Sequence, residues 1–104
     1  MNINTKKEFL NLYLLQQARI TRLYHLMKVN RDAKERYIPQ IESAKNIRER
    51  IEDAINAVDG GLLSEILSQK YLCGKTLEET AEILNYSKRQ IERLYGTAME
   101  KLII

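Results

Sequence analysis

The chain has one cysteine, Cys73, and one histidine, His25. A lone cysteine excludes an intrachain disulfide and any zinc site built on paired thiolates, and it fits a reducing compartment. A lone imidazole removes His–His and His–Cys metal pairs and restricts nucleophilic triads to any built around His25. The neighbours Arg22 and Lys28 place His25 on a helix surface, whereas Cys73, a small apolar side chain, is expected to be partly buried and inert. One proline and four glycines leave few points at which a helix must break. No apolar run approaches the ~20 residues of a membrane span, and the start MNINTKKEF lacks the apolar stretch of a secretory leader, so a cytoplasmic protein is expected. Repeats, low-complexity tracts and Gly/Ser linkers are also missing, so the segments are contiguous. Glu78, Glu79 and Glu82 lack the histidine, phosphate loop or ligand cluster that would complete a catalytic site. The reading is therefore non-enzymatic, with no metal, cofactor or small-molecule substrate.

At 104 residues there is room for one cooperative unit. Hydrophobic residues at 44% and charged residues at 30% are too apolar for disorder and too polar for a membrane protein, which leaves an all-α globule. The net charge of +3 is unevenly placed: residues 1–60 hold eleven Lys/Arg against eight Asp/Glu, and residues 61–104 hold six of each. The densest basic stretch is Arg19, Arg22, Lys28, Arg31, Lys34 and Arg36, interrupted by Asp32 and Glu35. It is either a solvated helix face or a phosphate-steering surface.

Thr5 followed by Glu8 has capping-box spacing and predicts a helix start. Phe9, Tyr13, Gln16, Ile20, Leu23 and Met27 recur at steps of four and three, with Leu12 and Leu26 widening the stripe, over a helix about 35 Å long. The charged segment from Asn30 to Tyr37 reads as a connector, and Pro39 suits the first turn of the next helix. Ile41, Ala44, Ile47, Ile51, Ala54, Ile55 and Val58 form a second stripe, ended at Asp59-Gly60-Gly61. Two long helices on a short link predict an antiparallel hairpin over residues 1–60. Its stripe either dimerises with a second copy or packs on the chain's own C-terminal part. A third helix runs through Leu62, Leu63, Ile66, Leu67, Tyr71 and Leu72 and is stopped by Gly74.

Residues 76–102, TLEETAEILNYSKRQIERLYGTAMEKL, carry the functional signal. Thr76 with Glu79 and Ser87 with Gln90 are two further capping boxes, so one helix starts near 77 and another near 88 across a tight turn. A close helix crossing needs a small residue, a turn residue tolerant of positive φ and a branched apolar plug; Ala81, Asn85 and Ile91 meet these needs in order, with Leu77, Leu84 and Leu94 completing a small core. On the second helix Ile91, Leu94, Tyr95, Ala98 and Leu102 share one face, and Arg89, Arg93 and Gly96 lie opposite. Arginine can pair two donors with guanine, Gln90 can do so with adenine, and Ser87 and Lys88 at the helix start can hold phosphate. Thr97 is a further hydroxyl candidate on that helix, and Gly96 lets the backbone approach the sugar-phosphate wall. The competing reading pairs Arg89 and Arg93 with Glu92 or Glu100 as ordinary surface charges.

TLEE at 76–79, Ala81, Ser87, Ile91, Leu94 and AMEKL at 98–102 resemble region four of primary bacterial sigma factors. With helix three included, residues 71–102 are similar to small phage late-transcription regulators of the RinA and ArpU type, which join a helical N-terminal part to such a head. The resemblance implies sequence-specific control of phage or mobile-element genes, with RNA polymerase as a possible contact. Lys88 followed by Gln90 and Glu92 implies an operator other than the standard upstream promoter element. The expected architecture is therefore a hairpin over 1–60, serving dimerisation, and a helix-turn-helix DNA-binding domain over 61–104. The expected partners are double-stranded DNA and a second copy of the chain. Two alternatives remain open at this point: a protein-interaction module on RNA polymerase or another regulator, and a DNA-packaging protein like a small terminase subunit.

Overall fold

The computed structural model describes residues 2–104, and every regular element among them is helical. Helix α1 spans Ile3–Val29 and starts earlier than the Thr5–Glu8 spacing predicts. Asn2 is the cap: its Oδ1 accepts the Thr5 amide at 2.9 Å and the Thr5 hydroxyl at 3.0 Å. Asparagine is among the strongest capping residues, and from position 2 it takes the third helical amide and leaves Thr5 inside the helix.

A 3₁₀ turn at Arg31–Ala33 leads directly into α2, Lys34–Asn56. The expected connector up to Tyr37 is mostly helix, and Pro39 lies inside α2 instead of in its first turn. Lys34, Glu35 and Arg36 are good helix formers, and their propensity outweighs the small cost of two exposed cations in a first turn. Proline at this depth removes the amide bond to the Glu35 carbonyl and crowds that carbonyl with its ring, close to the helix start.

Contacts between the two long helices fix their sense. Tyr13 donates to Glu52 at 2.7 Å, Arg48 to Gln17 at 2.6 Å and Lys45 to Tyr24 at 2.8 Å, so partners descend α2 as they ascend α1. The hairpin is antiparallel, as its short link predicts. Burial of Tyr13 and its bond to Glu52 hold the phenol above the ordinary tyrosine pKa. Along α1 the buried positions are Leu10, Tyr13, Gln16, Ile20 and Leu23; Leu12, expected to widen the stripe, is exposed. The period of the stripe fits Phe9 and its neighbour Leu10 almost equally; the structure buries Leu10 fully and Phe9 only partly.

Gly60 at φ 97° and Gly61 at φ 60° turn the chain into α3, Leu62–Leu67, where the Ser64 hydroxyl closes the end of α2 by donating to the Ile55 carbonyl at 3.0 Å. α3 widens into a π-helical turn at Ser68–Leu72, after which Gly74 at φ 71° stops it. α4 covers Leu77–Leu84 and α5 covers Lys88–Lys101. Cys73 is exposed, contrary to expectation, because the chain unwinds at Gly74 and turns it outward. His25 is exposed, as its charged neighbours predict.

The largest apolar cluster joins Leu10, Tyr13, Ile51 and Ile55 of the hairpin to Leu63, Leu67, Tyr71, Ala98, Met99 and Leu102. The lower end of the hairpin therefore packs on the chain's own C-terminal helices, while Ile20, Leu23, Ile41 and Ala44 form a separate cluster further up. The molecule is elongated, 52 × 28 × 21 Å. No described helix is long and apolar enough to cross a membrane.

Candidate nucleic-acid interface

Two reciprocal caps set the starts of α4 and α5. Thr76 Oγ1 accepts the Glu79 amide at 3.1 Å and Glu79 Oε1 accepts the Thr76 amide at 3.1 Å. Ser87 Oγ accepts the Gln90 amide at 3.2 Å and Gln90 Oε1 accepts the Ser87 amide at 3.0 Å. Hydrogen bonding to Thr76, its backbone amide first, holds the Glu79 carboxyl below the usual carboxylate range. Both caps satisfy orphan amides that the helix itself leaves free.

Between them, Asn85 sits at φ 60°, ψ 46°, the left-handed conformation expected of it. The Tyr86 amide returns to the Ala81 carbonyl at 2.9 Å and the Asn85 amide to Glu82 at 3.3 Å, the paired bonds of a Schellman turn. Asparagine tolerates this backbone better than any residue but glycine. Asn85→Gly is expected to leave stability unchanged or raise it by up to about 1 kcal/mol, and Asn85→Val to lower it by about 1–2 kcal/mol. Urea midpoints of the two variants check this.

The turn folds α5 across α4 and onto α3. Ile66, Ala81 and Ile91 form one buried cluster, bordered by Leu77, Leu84, Leu94 and Tyr95. Ile91 and Ile66 are fully buried and Ala81 retains only 4% exposure, so there is no room for a larger side chain where the helices approach. A second anchor is aromatic. The Tyr71 and Tyr95 hydroxyls lie 2.6 Å apart, with Lys70 within 6 Å of both rings. Burial, then the bond to Tyr95, pushes the Tyr71 phenol far above its ordinary pKa. At the far end of α5, Lys6 of α1 donates to the Met99 carbonyl at 2.7 Å, occupying one of the terminal carbonyls that lack a helical partner.

With one side of α5 so held, its other side carries Lys88, Arg89, Gln90, Glu92, Arg93 and Glu100, all exposed. The six expected site residues are in different states. Arg89 and Arg93, one turn apart, are in no ion pair among the described residues; the pairing with Glu92 or Glu100 does not form. Ser87 and Gln90 are tied to each other, so Gln90 Oε1 is occupied and only its amide nitrogen faces outward uncommitted. Thr97 is partly buried and its hydroxyl donates to the Arg93 carbonyl at 3.3 Å. Lys88 is bridged to Glu78 at 2.8 Å. Gly96 has open space where a Cβ would stand, so a backbone can approach α5 there.

The Glu78 brace is the feature that sequence inspection missed. Residues ten apart on different helices share no helical periodicity, and only the turn at Asn85 brings the two helix starts together. The hydrogen bond from Lys88, followed by its charge, holds the Glu78 carboxyl below its ordinary pKa, and the same bond holds Lys88 above its own. Such a pair persists across neutral pH. It is lost in acid, as pH falls through the depressed Glu78 value, and in alkali, as pH rises through the raised Lys88 value. Both groups are exposed, so solvent screening leaves the pair little weight in folding.

Among the described residues no group of three His, Cys, Asp or Glu side chains is placed to hold a metal ion. Comparison with protein families, with curated proteins and with solved structures finds no match to this chain.

Proposed function

We infer that the chain is a sequence-specific DNA-binding transcriptional regulator, in which residues 61–104 act as a helix-turn-helix head and α5 enters the major groove. The observation that carries this reading is the state of Arg89 and Arg93: exposed, unpaired, one turn apart, on a helix whose reverse side is buried against α3 and α4. A guanidinium with no protein partner is open to the two-pronged bond with guanine O6 and N7. Ser87 and Lys88 at the start of α5 are suited to phosphate, Thr97 and the Gln90 amide to secondary contacts, and the bare Gly96 to close approach. No catalytic role is assigned to any residue. The resemblance of residues 71–102 to phage late-transcription regulators supports a place in phage or mobile-element gene control.

A second copy of the chain is the proposed protein partner. Much of the hairpin stripe is spent on the C-terminal helices, but Leu12 and Leu15 lie close together on the outer side of α1 at 37% and 59% exposure. Paired heads would favour half-sites about 34 Å apart or a multiple of that spacing.

Selection of bound sequences from a random DNA pool tests the reading: enrichment of one motif is expected, and recovery of unenriched sequence would remove it. The Glu78 brace adds a separate expectation. Glu78→Gln frees Lys88 and should tighten binding to all duplexes alike, whereas Lys88→Ala should weaken all alike and flatten the salt slope by about one unit. Mobility-shift titrations at several salt concentrations measure both.

One further observation favours a second reading. Ile83 at 52% and Tyr86 at 38% exposure flank the turn on a head with no net charge, which suits a protein surface such as RNA polymerase. In that case the selection above would enrich nothing, while Ile83→Asp would abolish the protein contact.

A further inference from the structure

Besides α5, which holds four Lys/Arg against two Glu, a second basic cluster lies at the far end of the hairpin. Tyr24, Met27 and Lys28 of α1, with Arg31 and Lys34 of the link and α2, line an open groove of about 710 Å³. Lys45 adjoins it, its Nζ 2.8 Å from the Tyr24 hydroxyl and 5.4 Å from the ring centroid. Two ion pairs form among the described residues, Arg48–Glu52 and Lys88–Glu78, and neither involves a groove residue. Asp32 and Glu35 are the acids of the link, and they leave the local balance positive.

Helix-end electrostatics account for only part of this grouping. Lys28, in the last turn of α1, suits the partial negative charge there, but Lys34 and Arg36 stand in the first turn of α2, where a helix disfavours cations, and Lys34 lines one groove with Lys28 and Arg31. Like charges gathered without partners repel one another unless an anion lies between them. Tyr24 and Met27 in the groove lining add apolar surface on which a sugar can rest. An extended polyanion with regularly spaced phosphates fits such a row better than a single small anion.

We propose that the hairpin-tip groove of Tyr24, Lys28, Arg31 and Lys34 holds the phosphate backbone of duplex DNA, as a sequence-independent contact separate from α5. Leu10 shares a core with Met99 of α5, and Lys28 stands eighteen residues further along α1, about 27 Å at helical rise. That separation equals the length of roughly 8 base pairs of duplex, at ~3.4 Å each, so the tip contact is distinct from any that α5 makes. In its choice of DNA as the polyanion, the proposal rests on the reading given above. It assigns to the hairpin an electrostatic attraction additional to that of Lys88, on a chain whose residues 61–104 carry no net charge.

The test is fluorescence anisotropy of the full chain on a random-sequence duplex of about 30 base pairs, between about 50 and 200 mM salt. The triple variant Lys28→Ala, Arg31→Ala, Lys34→Ala replaces exposed side chains and should fold; circular dichroism verifies that it does. Its plot of log affinity against log salt should be shallower than that of the unaltered chain by about 2–3 units, while a control with Lys75→Ala and Lys101→Ala changes little. An unchanged slope for the triple variant overturns the proposal. So does loss of binding to phosphatidylserine vesicles with the duplex slope intact, which would make the groove a membrane contact. The Arg89→Ala, Arg93→Ala chain separates the two readings. If it keeps full sequence preference while the triple variant flattens the slope, the α5 reading fails and the tip contact stands. If the unaltered chain binds no duplex at the lowest salt, both fail.

Discussion

Replacing Arg89 and Arg93 together with alanine is expected to erase discrimination between the selected site and random DNA without altering the fold. Each bidentate arginine–guanine contact carries about 1–3 kcal/mol of discrimination, a factor of roughly 5 to 150 in affinity. The two residues are neighbours, so their effects need not add. Neither side chain takes part in a buried cluster or an ion pair, so thermal unfolding should move little. Arg93→Lys sharpens the experiment, since lysine keeps the charge but cannot form the planar two-pronged bond. It should retain random-DNA affinity and lose site preference. Equal loss on both duplexes would mean that the arginines serve only as charge.

Ile91→Ala should have the largest effect on stability. Ile91 is fully buried between Ile66 and Ala81, where α5 crosses α4 and α3. Truncation there removes its transfer energy and leaves a cavity, at a cost of about 2–5 kcal/mol. For a chain of this length that corresponds to a drop in Tm of about 10 °C or more. Ile91→Val, which removes one methylene, should cost about 0.5–1.5 kcal/mol. Site-specific binding should fall with Ile91→Ala even below its midpoint, because the plug sets the angle at which Arg89 and Arg93 are presented. Calorimetry and mobility shift on the same samples separate the two effects.

The parts of the fold visible in the amino-acid order are those decided within a few residues. The Thr76–Glu79 and Ser87–Gln90 boxes, the left-handed Asn85 and the stripe of α2 are local matters of hydrogen bonding and period, and each was legible. The start of α1 was misplaced because Asn2 and Thr5 are both competent caps, and only the strength of asparagine decides between them. Pro39 misled for the opposite reason: proline is costly inside a helix, but a helix with good formers before it and an apolar stripe beyond absorbs one missing bond. Exposure was harder to read than position. Cys73 and Leu12 are apolar residues of the kind usually buried, yet one lies beside the unwinding at Gly74 and the other keeps 37% exposure on α1. At the candidate site, sequence placed Arg89 and Arg93 outward, but it could not show that Glu78 would take Lys88 or that the Gln90 oxygen would be spent on its own cap. Those contacts depend on how two helix starts come together in space.

In the proposed function the outward side of α5 makes the decisive contact with DNA. Its most direct measurement is a titration of the isotope-labelled chain with duplex DNA followed through backbone amide resonances. The amides of residues 87–97 are expected to shift, with the arginine-bearing turn at their centre, while those of Leu63, Leu67 and Ile55 in the shared core stay in place. Shifts confined to the hairpin, with α5 unmoved at saturating duplex, would contradict it.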